Sequence, residues 1–252
     1  MSQVGLAAEA EISARHLCFL ETGRAQPSRE MVQLLASVLE VSLGDRNAML
    51  LAAGYAPAYG QRDLGAPDVE HVRRAFEFVL RQHEPYPAVV VDGGWDVVMA
   101  NAAVARIFGA FFRPVAPLPL LARNAMHMVC HPDGLRRYMT NWEEFAGPLI
   151  QTIHREAGHG LPAAVALRDA LLAYPGMPAR WRTPDPGAQV APVLTMRLRK
   201  GDLALAFFST MTTLATPRDV VLQQMRIECF YPADAATEAT VRQLAAASPP
   251  AT

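Results

Sequence analysis

Arg15 and His16 are the pair whose types and spacing point most directly to chemistry. They follow Ser13 in the stretch Ile12 to Met31, ISARHLCFLETGRAQPSREM. An arginine guanidinium can fork onto guanine O6 and N7, and a histidine can donate to a base edge or a phosphate. Gln3 and Arg24 are candidate phosphate contacts, which position a protein on DNA without specifying sequence. The plain alternative for all four is an ordinary solvated helix side chain. A second set, His127-x-x-Cys130-His131, invites a metal reading, because positions i and i+4 share a helix face. Only Asp133 stands near as a further ligand, so packing or pocket lining is the better reading and no metal is predicted. Catalysis lacks parts: there is no G-x-S-x-G and no phosphate-cradling glycine loop. Glu143 and Glu144 adjoin on a predicted helix, so their side chains point about 100° apart and cooperate poorly. The chain is predicted not to be an enzyme and to need no cofactor.

Short helices must position Arg15 and His16. Ser13 is a natural N-cap, since its hydroxyl accepts an orphan N–H of the first turn. Leu17 and Leu20 then recur at helical spacing and face inward, which turns Ala14, Arg15, His16 and Phe19 elsewhere. Gly23 can take the left-handed conformation that ends a helix. After Pro27, Ser28 caps a second helix with a predicted apolar stripe of Met31, Leu34, Leu35, Val38 and Leu39. A short helix turning polar side chains outward, braced by a longer one, is how a reader is presented to the DNA major groove. Ser2 to Glu11 reads as the scaffold helix before it. Leu43 to Tyr59 reads as the last helix of this module, ended by Gly54 and Pro57. Glu21 is expected to hold the fold, pairing with Arg24 or Arg29.

The second half alternates differently. Residues 60–68 are polar and punctuated by Gly and Pro, a linker. Glu70 to His83 is a helix with Val72, Ala75, Phe76, Val79 and Leu80 as its stripe, expected to pack on the domain that follows. Ala88 to Asp92, the Gly93-Gly94 turn and Trp95 to Ala100 read as a hairpin. Asn101 opens the next helix. Residues 111–121 suit a loop over a pocket. Asn124 to Ala157 is mostly helical, broken near Pro132-Asp133-Gly134, and Leu161 to Tyr174 is a further helix. Thr195 to Arg199, Leu203 to Thr213 and Leu222 to Tyr231 read as three strands, and residues 235–252 as a frayed tail. The aromatic and Met content here is heavy. Most of it is core, yet a sheet covered by helices can enclose an apolar pocket with few polar anchors. The candidate lining is Trp95, Met99, Phe108, Phe112, Met126, Phe145 and Phe208. Asn124, Arg136 and Arg137 are candidate anchors for a carboxylate.

Composition bounds these readings. Of the 252 residues 51% are apolar, enough for one large domain or two modest ones. Net charge is −1, and Lys200 is the only lysine. Residues 1–60 hold four Arg and six acids, net −2, which counts against strong nonspecific DNA binding. Cys18, Cys130 and Cys229 are far apart, so neither a disulfide framework nor a structural zinc site is expected. No apolar run is long enough for a transmembrane helix and no secretory signal is visible, so the cytoplasm is the expected compartment.

The pattern S-x-R-H-L-x-F-L-E-x-G-R-x-x-P-S resembles the recognition-helix segment of Xre/Cro-type helix-turn-helix regulators. The text FFSTMTTLATPRDVVLQQMRIECFYPAD resembles the C-terminal sheet of the MmyB-like, PAS-type ligand-binding domain that a subgroup of them carries. The strand, Gly turn, strand and Asn-led helix of residues 88–109 is similar to the opening of a PAS domain, in which the Asn caps the helix and ties it to the sheet. This resemblance implies an all-α helix-turn-helix bundle at 1–60, a linker and connecting helix at 61–84, and an α+β PAS-like domain at 85–234. That domain would have a five-stranded antiparallel sheet with helices. It implies that Ser13, Ala14, Arg15, His16, Gln3 and Arg24 face double-stranded DNA. It also implies a small apolar or fatty-acid-like ligand and a homodimer. The family's first helix has no counterpart ahead of Ser2. A ligand or partner sensor without DNA binding is therefore the alternative reading.

Overall fold

The computed structural model describes residues 1–60, 66, 69–111, 123–158, 162–185, 187, 193–214 and 219–247. They form two units. The first comprises Met1–Val69 with Leu214–Gln224, and the second Glu70–Thr213 with Met225–Thr252.

In the first unit, serines start four helices. Ser2, Ser13, Ser28 and Ser42 precede α1 (Gln3–Glu9), α2 (Ala14–Glu21), α3 (Arg29–Val38) and α4 (Leu43–Ala52). Each serine Oγ accepts the backbone N–H three residues on, from Gly5, His16, Met31 and Asp45. Such a cap stabilises a helix by about 1 kcal/mol. The core they enclose is small: Ala7, Ala10, Leu17, Val32, Ala36, Leu43 and Leu50. The predicted α3 stripe needs correction, because Leu34 and Leu39 are exposed while Val32 and Ala36 are buried. α3 packs against both α1 and α4, and that double contact selects the face carrying the smaller side chains. α4 ends at Ala52, earlier than Tyr59, with Gly54 at φ +85°. Buried Asn47 fastens the following turn, accepting from Ala58 and Tyr59 N–H and donating to Tyr59 C=O.

Residues 222–224, expected to open the last strand, instead end a helix, α10 (Val220–Gln224), that belongs to this first unit. The Asp219 carboxylate accepts the Val221 N–H, and Val220 N–H donates to Gly60 C=O at 2.9 Å. Gln223 Oε1 accepts the orphan N–H of Leu43 at 2.7 Å. These local and cross-chain bonds override the β-branched propensity of Val220-Val221.

The second unit opens with α5 (Glu70–Gln82), which buries Val72, Phe76 and Leu80; Ala75 and Val79 of the predicted stripe are exposed. β1 (Ala88–Val91) and β2 (Val97–Ala100) follow, then α6 (Ala102–Phe108), α7 (Ala125–Cys130), α8 (Trp142–Gly158) and α9 (Pro162–Leu172). β3 (Thr195–Lys200), β4 (Leu203–Thr213) and β5 (Arg226–Pro232) complete an antiparallel sheet of order β2-β1-β5-β4-β3. Two strands, intervening helices and three strands are what the sequence pattern implied. α5 packs behind β1 and β2, and fully buried Val90 lies on that side, while Val89 and Val91 face the main core. Residues 235–246, read as frayed, form helix α11 (Ala235–Ala246). Asp234 caps it through Thr237 N–H at 2.7 Å, Val241 is fully buried, and its alanines favour helix.

Candidate functional sites: a reader helix and a sheet-face pocket

Ser13 Oγ accepts His16 N–H at 3.1 Å, and this fixes the first turn of α2. Leu17 is buried beneath it. Ala14 and Arg15 are exposed and His16 is half-buried, so the expected outward face is presented. The Arg15 guanidinium rests 5.3 Å from the Phe19 ring centroid, which steadies a long side chain without consuming its donors. Gln3 donates to Glu21 at 2.6 Å, tying α1 to α2. Glu21 thus holds the fold, but its partner lies on the neighbouring helix and is neither Arg24 nor Arg29. Arg24 is exposed just past Gly23, whose φ of +69° ends the helix as expected.

In the second unit Trp95, Phe108, Met126 and Phe145 all join the main core beside the sheet. Trp95 reaches it through a positive φ of +65°, rare for an aromatic residue. The Asp92 carboxylate stabilises that turn by accepting the N–H groups of Gly94 and Asp96. Met99 and Phe208 do not join the core. Met99 pairs with Val90, and Phe208 pairs with Tyr231 and stacks on its ring, so both lie on the opposite face. Phe207, one residue earlier, is the core-facing member. Phe112 lies outside the described residues.

The anchors fare differently from expectation. Asn124 Oδ1 accepts from Met126 and His127 N–H, and its Nδ2 donates to Gly94 C=O and the Asp96 carboxylate. Its capacity is used. Arg136 donates to Pro175 and Gly176 carbonyls and lies 3.8 Å from the Trp142 ring centroid, a bracing role. Arg137 is exposed beside Tyr138. Asn101 ties sheet to helix, but not as a cap: it accepts from Ala88 N–H and donates to Leu80 and Tyr86 carbonyls.

His127 Nδ1 hydrogen-bonds the Tyr174 hydroxyl at 2.6 Å, and burial holds its pKa below the usual histidine value. Burial pushes the Cys130 thiol up to about 12, which leaves it inert. Among the described residues no group of three or more His, Cys, Asp or Glu is placed to hold a metal ion. A cleft of about 410 Å³ is lined by His154, Arg168, Asp169 and Arg182 among others, none of them a predicted ligand residue.

The polar groups that sequence reasoning missed lie on β5. Arg226 pairs with Glu156 of α8 at 2.7 Å and lies 5.0 Å from the Trp95 ring centroid, while Trp95 Nε1–H donates to Glu156. Glu228 stands two residues on, between Val89 and Met211. The signal was present: Arg226 and Glu228 alternate in phase with core residue Phe230.

A capped helix-turn-helix unit and a helix-covered five-stranded antiparallel sheet on one chain are the parts of a ligand-regulated transcription regulator. The chain belongs to the family described as MmyB-like transcription regulator ligand binding domain, whose model matches residues 72–244. A helix-turn-helix model, of Xre type, matches residues 1–45. Both matched families are transcription-regulator domains rather than enzymes. No curated protein matches the chain. Among the described residues no helix is long and apolar enough to cross a membrane.

Proposed function

We propose that the chain is a one-component transcription regulator that reads double-stranded DNA with α2 under control of a small ligand in a PAS-like second unit. Arg15 and His16 would contact base edges, Ser13 and Ala14 would border them, and Gln3 and Arg24 would hold phosphates. The observation that carries this reading is the capped, outward-facing start of α2. The ligand would be small and apolar or fatty-acid-like, lodged among Trp95, Phe108, Met126 and Phe145. The protein would act as a homodimer, since helix-turn-helix half-sites lie about 34 Å apart.

Control requires a ligand that binds two arrangements unequally. α5 is one candidate transmitter, because it opens the sheet unit where the first unit ends. α10 is a second: it belongs to the first unit yet is covalently joined to β5, which starts at Arg226. Selection from randomised duplexes tests the reading. A recovered consensus supports it, and recovery of no sequence at low salt contradicts it. The net −2 charge of residues 1–60 favours a second reading, a ligand or partner sensor with no DNA role. That reading predicts no retained duplex at any salt concentration.

A further inference from the structure

α10 lies between β4 and β5 in the chain, yet it is part of the first unit. Val220 and Leu222 are buried there. Val220 packs on the first turn of α4, where a Cβ added to Gly44 would lie 3.4 Å from its Cγ1. Gln223 supplies the decisive bond. Leu43 is the first residue of α4, so its N–H has no acceptor within the helix. Ser42 Oγ accepts the Asp45 N–H, and the Leu43 N–H donates instead to Gln223 Oε1 at 2.7 Å. One cap of α4 is therefore local, and the other arrives from the segment that leads into β5.

The far end of this link is fixed in the sheet unit. Arg226, the first residue of β5, follows Gln223 by three residues. Its guanidinium pairs with Glu156 of α8 at 2.7 Å and lies 5.0 Å from the Trp95 ring centroid. Trp95 Nε1–H donates to the same carboxylate at 3.0 Å. Met225, between the two ends, is 3% exposed. Trp95 belongs to the main core, as do Ile150 and Ile153 of α8. Three residues of chain span at most about 10 Å, so a link tied by side chains at both ends has little slack. A shift of Trp95 or α8 thus has a covalent route to the first turn of α4. From there α4 packs on α3, α3 on α1 and α1 on α2, a continuous path to the reader helix.

We infer that residues 223–226 are the coupling link of the regulator: rearrangement at the Trp95–Glu156–Arg226 corner of the sheet unit makes or releases the Gln223 cap on α4. This rests on the proposed ligand control and selects α10 over α5 as its transmitter. Gln223 is a positioning residue, acting on the reader through α4.

Hydrogen exchange of the Leu43 amide in the full chain reads this bond directly, with no ligand needed. Glu156→Ala alters only the sheet unit. It should speed Leu43 exchange by about fivefold or more, the equivalent of one lost hydrogen bond, while the His16 amide, held by Ser13, stays unchanged. Gln223→Ala should have a similar effect, and adding Glu156→Ala to it should change nothing further. Leu43 exchange unmoved by Glu156→Ala overturns the inference, as do effects of the two substitutions that multiply. Should Glu156→Ala not fold, Glu156→Gln replaces it with the same pattern expected. Saturating dodecanoate should also change Leu43 exchange in the wild type and not in Gln223→Ala. Dodecanoate that binds by calorimetry yet leaves Leu43 exchange unchanged overturns the link. Dodecanoate that does not bind contradicts only the fatty-acid-like ligand, and the Glu156 and Gln223 comparison then decides.

Discussion

The two units are stabilised by different means. The helix-turn-helix unit relies on four serine caps around a core with three alanines, and leaves Val4, Leu34, Leu39 and Leu51 exposed. The sheet unit buries Phe76, Phe111, Phe207, Trp95 and Trp181 behind long-range strand pairing. Local bonds at helix starts dominate the first, and area removed from water dominates the second. Each suits its task. A helix-turn-helix unit is built of short helices that keep side chains outside, and a ligand-binding domain is built around a larger interior.

Substitutions can break that contrast, and the largest effect belongs to the sheet unit. Phe207→Ala should cost about 3–5 kcal/mol, because Phe207 is fully buried. Denaturant unfolding followed by tryptophan fluorescence measures it, since all three tryptophans lie in the sheet unit. A loss below about 1 kcal/mol would mean the core is looser than its burial implies. Asn101→Ala comes next. It strands the Ala88 N–H and two carbonyls, so about 2–3 kcal/mol should be lost by the same assay. In the helical unit, Ser28→Ala should cost only about 1 kcal/mol, seen as an earlier loss of helical circular dichroism. A larger cost there would show that the caps are more than small, additive contributions.

The smallest effect is one of pH. Burial lowers the folded pKa of His127 below its ordinary value of 6.5. Between the two values the unfolded chain binds the extra proton, so the stability from neutral His127 is present above about pH 6.5 and lost as pH falls towards the folded pKa. Wild type should therefore lose more stability than His127→Gln between pH 7.5 and pH 5.5. Equal losses would remove His127 as the cause.

The same contrast explains what was legible in the sequence. Ser13, Gly23 and Ser28 act on their nearest neighbours, so their roles could be read from spacing alone. Strands β3 and β4 were legible because Lys200-Gly201-Asp202 separates two alternating runs. The phase of alternation was not. Val89 and Val90 are both buried, one on each face, so nothing local says that Met99 and Phe208 belong to the outer face. α10 was unreadable for a related reason: Gln223 finds Leu43 across 180 residues, and no local pattern encodes that. Arg136 looked like a free polar anchor because the carbonyls that occupy it are distant in sequence, and Asn124 because Gly94 and Asp96 are, although its capping of Met126 and His127 is local. The start of α2 was the more legible feature, since Ser13 and His16 lie within one helical turn. The inner face of the sheet is set by long-range register, and the place of Arg226 and Glu228 on it emerged only when that register was known.

One measurement tests the central claim most directly: DNA binding by fluorescence anisotropy across a salt series, wild type against Arg15→Ala/His16→Ala, on a duplex carrying the selected consensus. The account predicts that the double variant loses roughly tenfold or more on that duplex while its weak binding to unrelated DNA changes little. Equal affinity of the two proteins for the consensus at every salt concentration would contradict it.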